Sequence, residues 1–428
     1  MKKLILAAAC AAVTGTSFAE TSTTEQRINV LEAELQRLKQ EVSAQKNTNI
    51  QLVQQQQQLN TELKSASQKN TGSWTDNVDV YGILRLDGAV DFKDTTAARG
   101  RTSNQINKVP FDAAQGKRSD FTIAASRIGM DIKNLAGRED VKAKLEADFW
   151  VDNGKGDGKL RIRHAYVNFD DWLFGQTWSL MSNMETMTES IDYTQFLGVS
   201  TARLPQVRRD INFNAANKLQ LALEYASDRS SELPALTAKY IYKNHAILLM
   251  GQGFINEKRA EVDKRDIDKV SWGMGLGARY KFTPKQSVQA NYYHVKGDQK
   301  FVSYTTVPQG SSSDGAAMGG DYSVDLNNNS LLLNEFDSLT LGYSHKFNDQ
   351  WRGNIATSLM KFEDDSAYAK ATANITNNKQ LTDHAINLIY TPRPYVDLGV
   401  EYHLGERESF EGKTADISRV NLSAQYKF

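Results

Sequence analysis

From about residue 78 to the last residue, apolar and polar side chains alternate with a period of two. In S-W-G-M-G-L-G-A-R-Y-K-F, Trp272, Met274, Leu276, Ala278, Tyr280 and Phe282 share one face. Ser271, Gly273, Gly275, Gly277, Arg279 and Lys281 share the other. Strict alternation predicts a strand. Aromatics at both ends with aliphatics between them predict that its apolar face meets lipid between two girdles. Glycines spaced this way inside a strand do not form a dinucleotide-binding turn, which needs a strand before it and a helix after it. The theme recurs at Leu219, Leu221, Leu223 and Tyr225, and at Leu339, Leu341, Tyr343 and Phe347. Val396, Leu398, Val400, Tyr402 and Leu404 repeat it and turn Asp397, Glu401 and His403 to an interior face. At the chain end, Val420, Leu422, Ala424, Tyr426 and Phe428 alternate with polar residues.

The connections between these runs fall into two classes. Short ones lie near 134–139, 170–171, 214–217, 243–244, 283–285, 348–350 and 391–394. Long polar ones lie near 93–118, 152–159, 180–205, 227–234, 255–268, 297–335, 364–381 and 407–417. The classes alternate strictly, so seven short turns and eight long loops join about sixteen strands. Short periplasmic turns, long outer loops and an even strand number are the rules of outer-membrane barrels. The pattern therefore predicts an all-β fold: a 16-stranded antiparallel transmembrane β-barrel, closed by the last strand against the first, around 79–92.

Ahead of the barrel the period changes to 3.5. Ile28, Leu35, Val42, Asn49, Gln56 and Leu63 fall in one register, and Leu31, Leu38, Gln45, Leu52 and Leu59 in the other. This a/d pattern predicts an α-helical coiled coil, about 54 Å long at 1.5 Å per residue. A disordered polar linker is the other reading of this segment. Polar Gln45, Asn49 and Gln56 weaken the seam and set register and partner number. Leu at d with Ile or Val at a leans toward two strands. The stretch 65–73 is a flexible joint. Residues 1–19 read as a signal peptide: Lys2 and Lys3, an apolar core, then S-F-A before Glu20. The alternative makes Cys10 a lipoprotein anchor. Cleavage after Ala19 removes Cys10, the only cysteine, and with it any disulfide. The expected organisation is 1–19 signal peptide, 20–70 periplasmic coiled coil and linker, and 71–428 barrel.

Charge changes this picture little. The chain carries 51 Lys+Arg against 51 Asp+Glu, which offers nothing for nucleic acid. Its mean hydropathy of −0.53 suits a barrel that hides half of each strand from lipid. No apolar run is long enough for a spanning helix. The six histidines have no metal-ligand spacing, no Ser–His arrangement stands out, and no thiol remains after cleavage. No enzyme activity and no cofactor are expected.

Particular motifs add a resemblance. The final Y-K-F is similar to the C-terminal assembly signal of outer-membrane barrels. S-R-I-G-M-D-I-K resembles the second-strand motif of Gram-negative porins. R-I-R-H-A-Y-V-N-F followed by F-G-Q-T-W-S resembles the strand pair leading into an inward-folded third loop, and A-R-L-P-Q-V-R-R-D resembles the strand leaving it. With the N-terminal coiled coil, the chain most resembles the DcaP-like dicarboxylate-uptake porins. The resemblance implies a homotrimer of sixteen-stranded barrels in outer-membrane lipid, passing small anionic solutes. It also favours three strands for the coiled coil.

Loop 180–205 is the candidate constriction. Met181, Met184, Met187, Phe196 and Leu197 suit packing against an inner wall, and the loop carries Glu185, Glu189 and Asp192. Alternation puts Arg85, Arg127, Lys142, Lys144 and Arg208 inside the barrel. Periodicity leaves Arg161 and Arg163 undecided, because Val167 and Phe169 share their parity; the porin resemblance puts both inside. A basic wall facing an acidic loop predicts an anion-preferring pore for small carboxylates, dicarboxylates above all. A phosphate-type anion porin is the alternative. A third reading is a structural envelope protein whose coiled coil tethers the outer membrane to peptidoglycan.

Overall fold

The computed structural model describes residues 32–33, 35–40, 42–43, 77–92, 106–109, 111, 117–134, 140–150, 159–193, 197–226, 232–262, 264–302, 320–372 and 377–428. The chain divides into two units, Met1–Ser73 and Trp74–Phe428. The described residues of the first unit are helical and exposed, and include Leu35, Leu38 and Val42 of the expected seam. The remainder of the expected coiled coil, the signal peptide and the joint lie outside the described residues.

The second unit is a closed antiparallel barrel. Its strands are β1 (Val78–Asp91), β2 (Arg118–Thr122), β3 (Arg127–Ile132), β4 (Val141–Asp148), β5 (Arg161–Phe169), β6 (Trp172–Trp178), β7 (Arg203–Asn212), β8 (Asn217–Glu224) and β9 (Ala235–Lys243). They continue as β10 (Ile247–Val262), β11 (Arg265–Thr283), β12 (Gln286–Lys296), β13 (Tyr322–Asp325), β14 (Ser330–Leu333), β15 (Glu335–Lys346), β16 (Trp351–Phe362), β17 (Asn378–Arg393), β18 (Val396–Ser409) and β19 (Thr414–Lys427). Strands β2 and β3 are two pieces of one wall strand, since β1 pairs with β2 through Asp87–Asp91 and with β3 through Val78–Ile83. The β13–β14 hairpin forms its own small sheet. The wall thus has the sixteen strands that the alternation predicts.

The chain end shows how the barrel closes. Strand β19 pairs with β1 from Ile83↔Lys427 to Asp91↔Arg419. Phe428 and Gly82 exchange backbone hydrogen bonds of 2.9 and 3.0 Å. The Phe428 ring lies where a Cβ on residue 82 would stand, so only glycine lets the terminal aromatic cross the seam. Inside the same seam, Arg419 holds Asp91 with two bonds of 2.6 and 3.0 Å, both groups being almost wholly buried.

Two segments expected as loops are strand. Residues 255–262 and 265–268 form the tips of β10 and β11, and much of 407–417 belongs to β18 and β19. Their outward charges, such as Glu257, Arg259 and Asp266, make the sequence look like a polar loop. An outward-facing charge is tolerated where the wall has risen above the hydrocarbon, and the ladder continues there.

The barrel is not an empty cylinder. A core cluster fills its outer half: Ile106 and Val109 from the first loop, Met181 and Leu197 from the third, and Phe301 and Val302 from the segment after β12. These pack on inward residues such as Phe254, Tyr293, Phe336 and Phe362. Arg407 fixes the first-loop piece by donating to the Val109 carbonyl, with its guanidinium 4.3 Å from the Phe111 ring centroid.

Candidate functional site

The connection between β6 and β7 crosses the lumen as a strap. Buried Glu224 holds its start, accepting bonds from the Ser179 hydroxyl (2.6 Å) and the Leu180 amide (2.7 Å). Thr186 and Asn291 exchange bonds of 2.7 and 2.9 Å. Further along, Ser338 donates to the Gly198 carbonyl at 2.8 Å. Gly198 takes φ +71°, a left-handed conformation that favours glycine. Met181 and Leu197 are buried as packing groups, while Phe196 lies outside the described residues.

The tip of the strap rests on one carboxylate. Glu401 accepts from Ser190 Oγ (2.9 Å), the Ile191 amide (3.1 Å), the Asp192 amide (2.9 Å) and Asn387 Nδ2 (2.8 Å). His403 stands between Glu401 (2.8 Å) and Asp383 (3.0 Å), all three side chains being fully buried. Both ring nitrogens face carboxylate oxygens, so both donate.

Beyond Glu401 the tip presents Tyr193 to the neighbouring wall formed by β1 to β5. There four of the expected arginines meet. Arg163 donates to Glu146 at 2.5 Å, Asp148 at 3.0 Å and Tyr193 Oη at 2.7 Å. Arg161 holds Asp148 with bonds of 2.9 and 2.7 Å. Arg127 lies 3.6 Å from Glu146 and reaches the Tyr193 hydroxyl. Arg85 holds Asp87 at 2.8 Å and donates to the Ile191 carbonyl. The guanidinium carbons of Arg85, Arg127 and Arg163 stand 5.5, 5.7 and 5.8 Å from the Tyr193 ring centroid. Burial pushes the Tyr193 phenol up, so it stays protonated and donates to Asp148 at 2.6 Å.

A β-bulge settles the orientation that periodicity left open. The β4–β5 register shifts between Glu146 and Ala147, so that Glu146 pairs with His164 and Ala147 with Ile162. Arg163 is the extra residue. The shift lets Arg161 and Arg163 join His164 inside while Val167 and Phe169 keep to the outer face. One inserted residue flips strand parity.

The remaining expected residues lie elsewhere. Arg208 pairs with Asp210 at 3.0 Å, and Asp210 also holds Lys218. Glu185 pairs with Lys243 at 2.8 Å. Glu189 meets Arg352 in a two-bond pair, both at 2.8 Å, and Arg352 also holds Asp397. Asp192 stays near the arginines and accepts from Asn421 at 3.2 Å. The strap's two glutamates therefore face β9 and β16, away from the arginine cluster. Sequence reasoning missed Glu146 and Asp148, which neutralise that cluster. They share parity with Lys142 and Lys144, already read as inward, so the signal was present. It also missed Lys243 and Arg352.

The comparisons agree with this architecture. The family described as DcaP outer membrane protein matches residues 15–428. The crystal structure of the outer membrane channel DcaP of Acinetobacter baumannii is 29% identical, with a TM-score of 0.71 over 82% of this chain and 97% of that one. OmpT of Vibrio cholerae in a trimer form is 14% identical, with a TM-score of 0.51 over 82% and 99%. OmpF of Salmonella typhi in complex with daunomycin is 10% identical, with a TM-score of 0.53 over 82% and 98%. These last two likenesses speak for the fold alone. No curated protein matches the sequence.

Proposed function

The chain belongs to the DcaP outer membrane protein family, and on that premise we propose that its barrel is an anion-preferring channel for small carboxylates, dicarboxylates above all. The observation that carries this reading is the convergence of Arg85, Arg127, Arg161 and Arg163 around Tyr193 at the tip of the strap. A strap fixed across the lumen forces solutes past that cluster. The arginines also hold Asp87, Glu146 and Asp148, so the local field is moderated. Moderation suits conduction, because a pore must release what it binds. Two carboxylates on one solute can engage two separated guanidinium edges, so a dianion dwells longer than a monoanion.

In this reading 180–205 is the constriction, and it carries Glu185, Glu189 and Asp192. Arg208 belongs to the approach on the same wall, not to the narrowest point. Residues 1–19 are removed on export, and 20–70 form a periplasmic coiled coil. The assembly is a homotrimer, as the trimeric form of the Vibrio cholerae barrel exemplifies for this fold. A tether to peptidoglycan through the coiled coil is compatible with transport.

The test is single-channel recording of the full chain in a planar bilayer. Succinate, phosphate and a neutral sugar are added in turn. Succinate is expected to block at micromolar to millimolar levels, an interaction of about 4–8 kcal/mol. Absence of succinate block contradicts the dicarboxylate reading, and stronger block by phosphate transfers the case to a phosphate-type porin.

A further inference from the structure

Below the strap, on the wall opposite the arginine cluster, lies a cavity of about 290 Å³. The β11–β12 turn, a short connection, forms one side of it, so it lies at the periplasmic end of the barrel. Arg279, Lys281, Lys285 and Arg352 line it, with Glu189 of the strap as the one acidic side chain among its lining residues. Glu189 is already committed to Arg352. Arg279 donates to the Glu185 backbone carbonyl at 2.7 Å. Among the described residues, Arg279, Lys281 and Lys285 make no ion pair with a carboxylate. Gln289, whose Nε2 donates to the Ser287 and Ser344 hydroxyls, completes one side.

The contrast with the arginine cluster is chemical. There Arg85, Arg127, Arg161 and Arg163 each have a carboxylate within hydrogen-bond or ion-pair distance, while neighbouring Arg203 lies over the Trp178 ring instead. Here three cations share one cavity without any. Strand parity explains why they converge. Arg279 and Lys281 lie on the inward face of β11, opposite the lipid-facing Tyr280 and Phe282, and Lys285 sits in the turn that follows. Like charges gathered in a concave site with low-dielectric walls focus the field and raise the local concentration of counter-ions.

We propose that this cavity is an oxyanion-binding station at the periplasmic end of the channel, taking a carboxylate or phosphate group of a small solute. The inference rests on the anion-channel reading and deepens it by adding a site on the far side of the strap. An anion leaving the arginine cluster meets a second cationic site before the periplasm. An anion entering from the periplasm meets this site first.

The experiment reads blocking on-rates with the solute added on the periplasmic side only. Wild type, Lys281→Gln/Lys285→Gln and Lys218→Gln are compared, each with succinate and with inorganic phosphate. Lys218 lies on β8 in a pair with Asp210 and controls for the loss of a lysine charge away from the cavity. Both cavity lysines are exposed, and conductance reports that the variant has inserted. The cavity double variant is expected to lose about tenfold in on-rate, at the low end of electrostatic steering, with Lys218→Gln unchanged. The anion that blocks wild type more strongly identifies the station as one for carboxylate or for phosphate. Equal on-rates in wild type and the double variant overturn the proposal. So does an equal loss in Lys218→Gln, or the absence of periplasmic-side block by both anions in wild type. The wild-type reversal potential in a salt gradient reports on the anion-channel reading separately.

Discussion

The two walls of the lumen use positive charge in opposite ways. On β1 to β5, arginines are interleaved with Asp87, Glu146 and Asp148 and locked against Tyr193. On β11 and the turn after it, Arg279, Lys281 and Lys285 make no ion pair with a carboxylate among the described residues, and Asp349 acts on Lys285 only at longer range. Paired charges lose much of their external field and their burial costs desolvation, so this cluster is fixed in place and acts on a solute at short range. Cations without a carboxylate partner attract more strongly, and of the three only Arg279 also holds the strap, through the Glu185 carbonyl. The difference marks a division of labour: the first wall positions the strap and offers a solute guanidinium edges at short range, and the second supplies more of the long-range field.

The largest effect on this division is expected from Arg163→Ala. Removing a buried guanidinium leaves Glu146 and Asp148 facing each other with fewer partners, a loss of about 3–5 kcal/mol. The temperature at which the folded barrel collapses in a gel-shift assay should fall, while block from the periplasmic side persists. A variant as heat-resistant as wild type would show that the cluster is not structural.

Glu401→Gln should come next. It removes the charge that gathers Ser190, Ile191, Asp192, Asn387 and His403. Charge-assisted bonds contribute about 1.5–3 kcal/mol each, so the strap tip should loosen. Higher and noisier single-channel conductance is expected. Unchanged conductance would mean that the tip is held without this carboxylate.

The smallest effect is a pH response in the apolar packing above the second wall. Asp298 is buried beside Asp321 and Lys258, and burial with the nearby Asp321 charge pushes its carboxyl up to about 6. Lys258 does not reverse this, because it lies closer to Asp321, at 2.6 Å against 3.2 Å. An acid raised above its unfolded value of about 3.9 costs the folded state nothing below that pH, and an increasing amount as pH climbs toward 6. Amide exchange at Gln299–Val302, corrected for intrinsic rate, should therefore show more protection at pH 4 than at pH 7. The opposite order would mean that Asp298 is stabilised as an anion.

How much of this was legible depended on whether a local rule survived tertiary context. Alternation gave the sixteen wall strands and the closing role of Phe428, because lipid on one face and water on the other leave period two intact. It failed at Arg163, where one bulged residue reverses parity and no composition signal marks it. It also failed at 255–268, where charges outside the bilayer imitate a loop. Arg279 and Lys281 share the polar face of their strand in the alternation but were not weighed as part of the basic wall. Glu146 and Asp148 were visible by parity and were passed over in favour of the cations beside them. The inward folding of Ile106 and Phe301 left almost no trace. Their loops are polar on average, and a few apolar residues sufficed to join the core.

The central claim is that field and fixation are divided between the walls. The most direct measurement is the reversal potential of the full chain in a salt gradient, for wild type, Arg161→Gln and Lys281→Gln/Lys285→Gln. Arg161 is the most exposed of the cluster's paired arginines, so its neutralisation is the gentlest test of that wall. The account predicts anion preference in wild type, a small shift for Arg161→Gln and a clearly larger shift toward cations for the double lysine variant, beyond what two charges in place of one would add in proportion. A cation-preferring wild type, or a larger shift from Arg161→Gln than from the lysine pair, would contradict it.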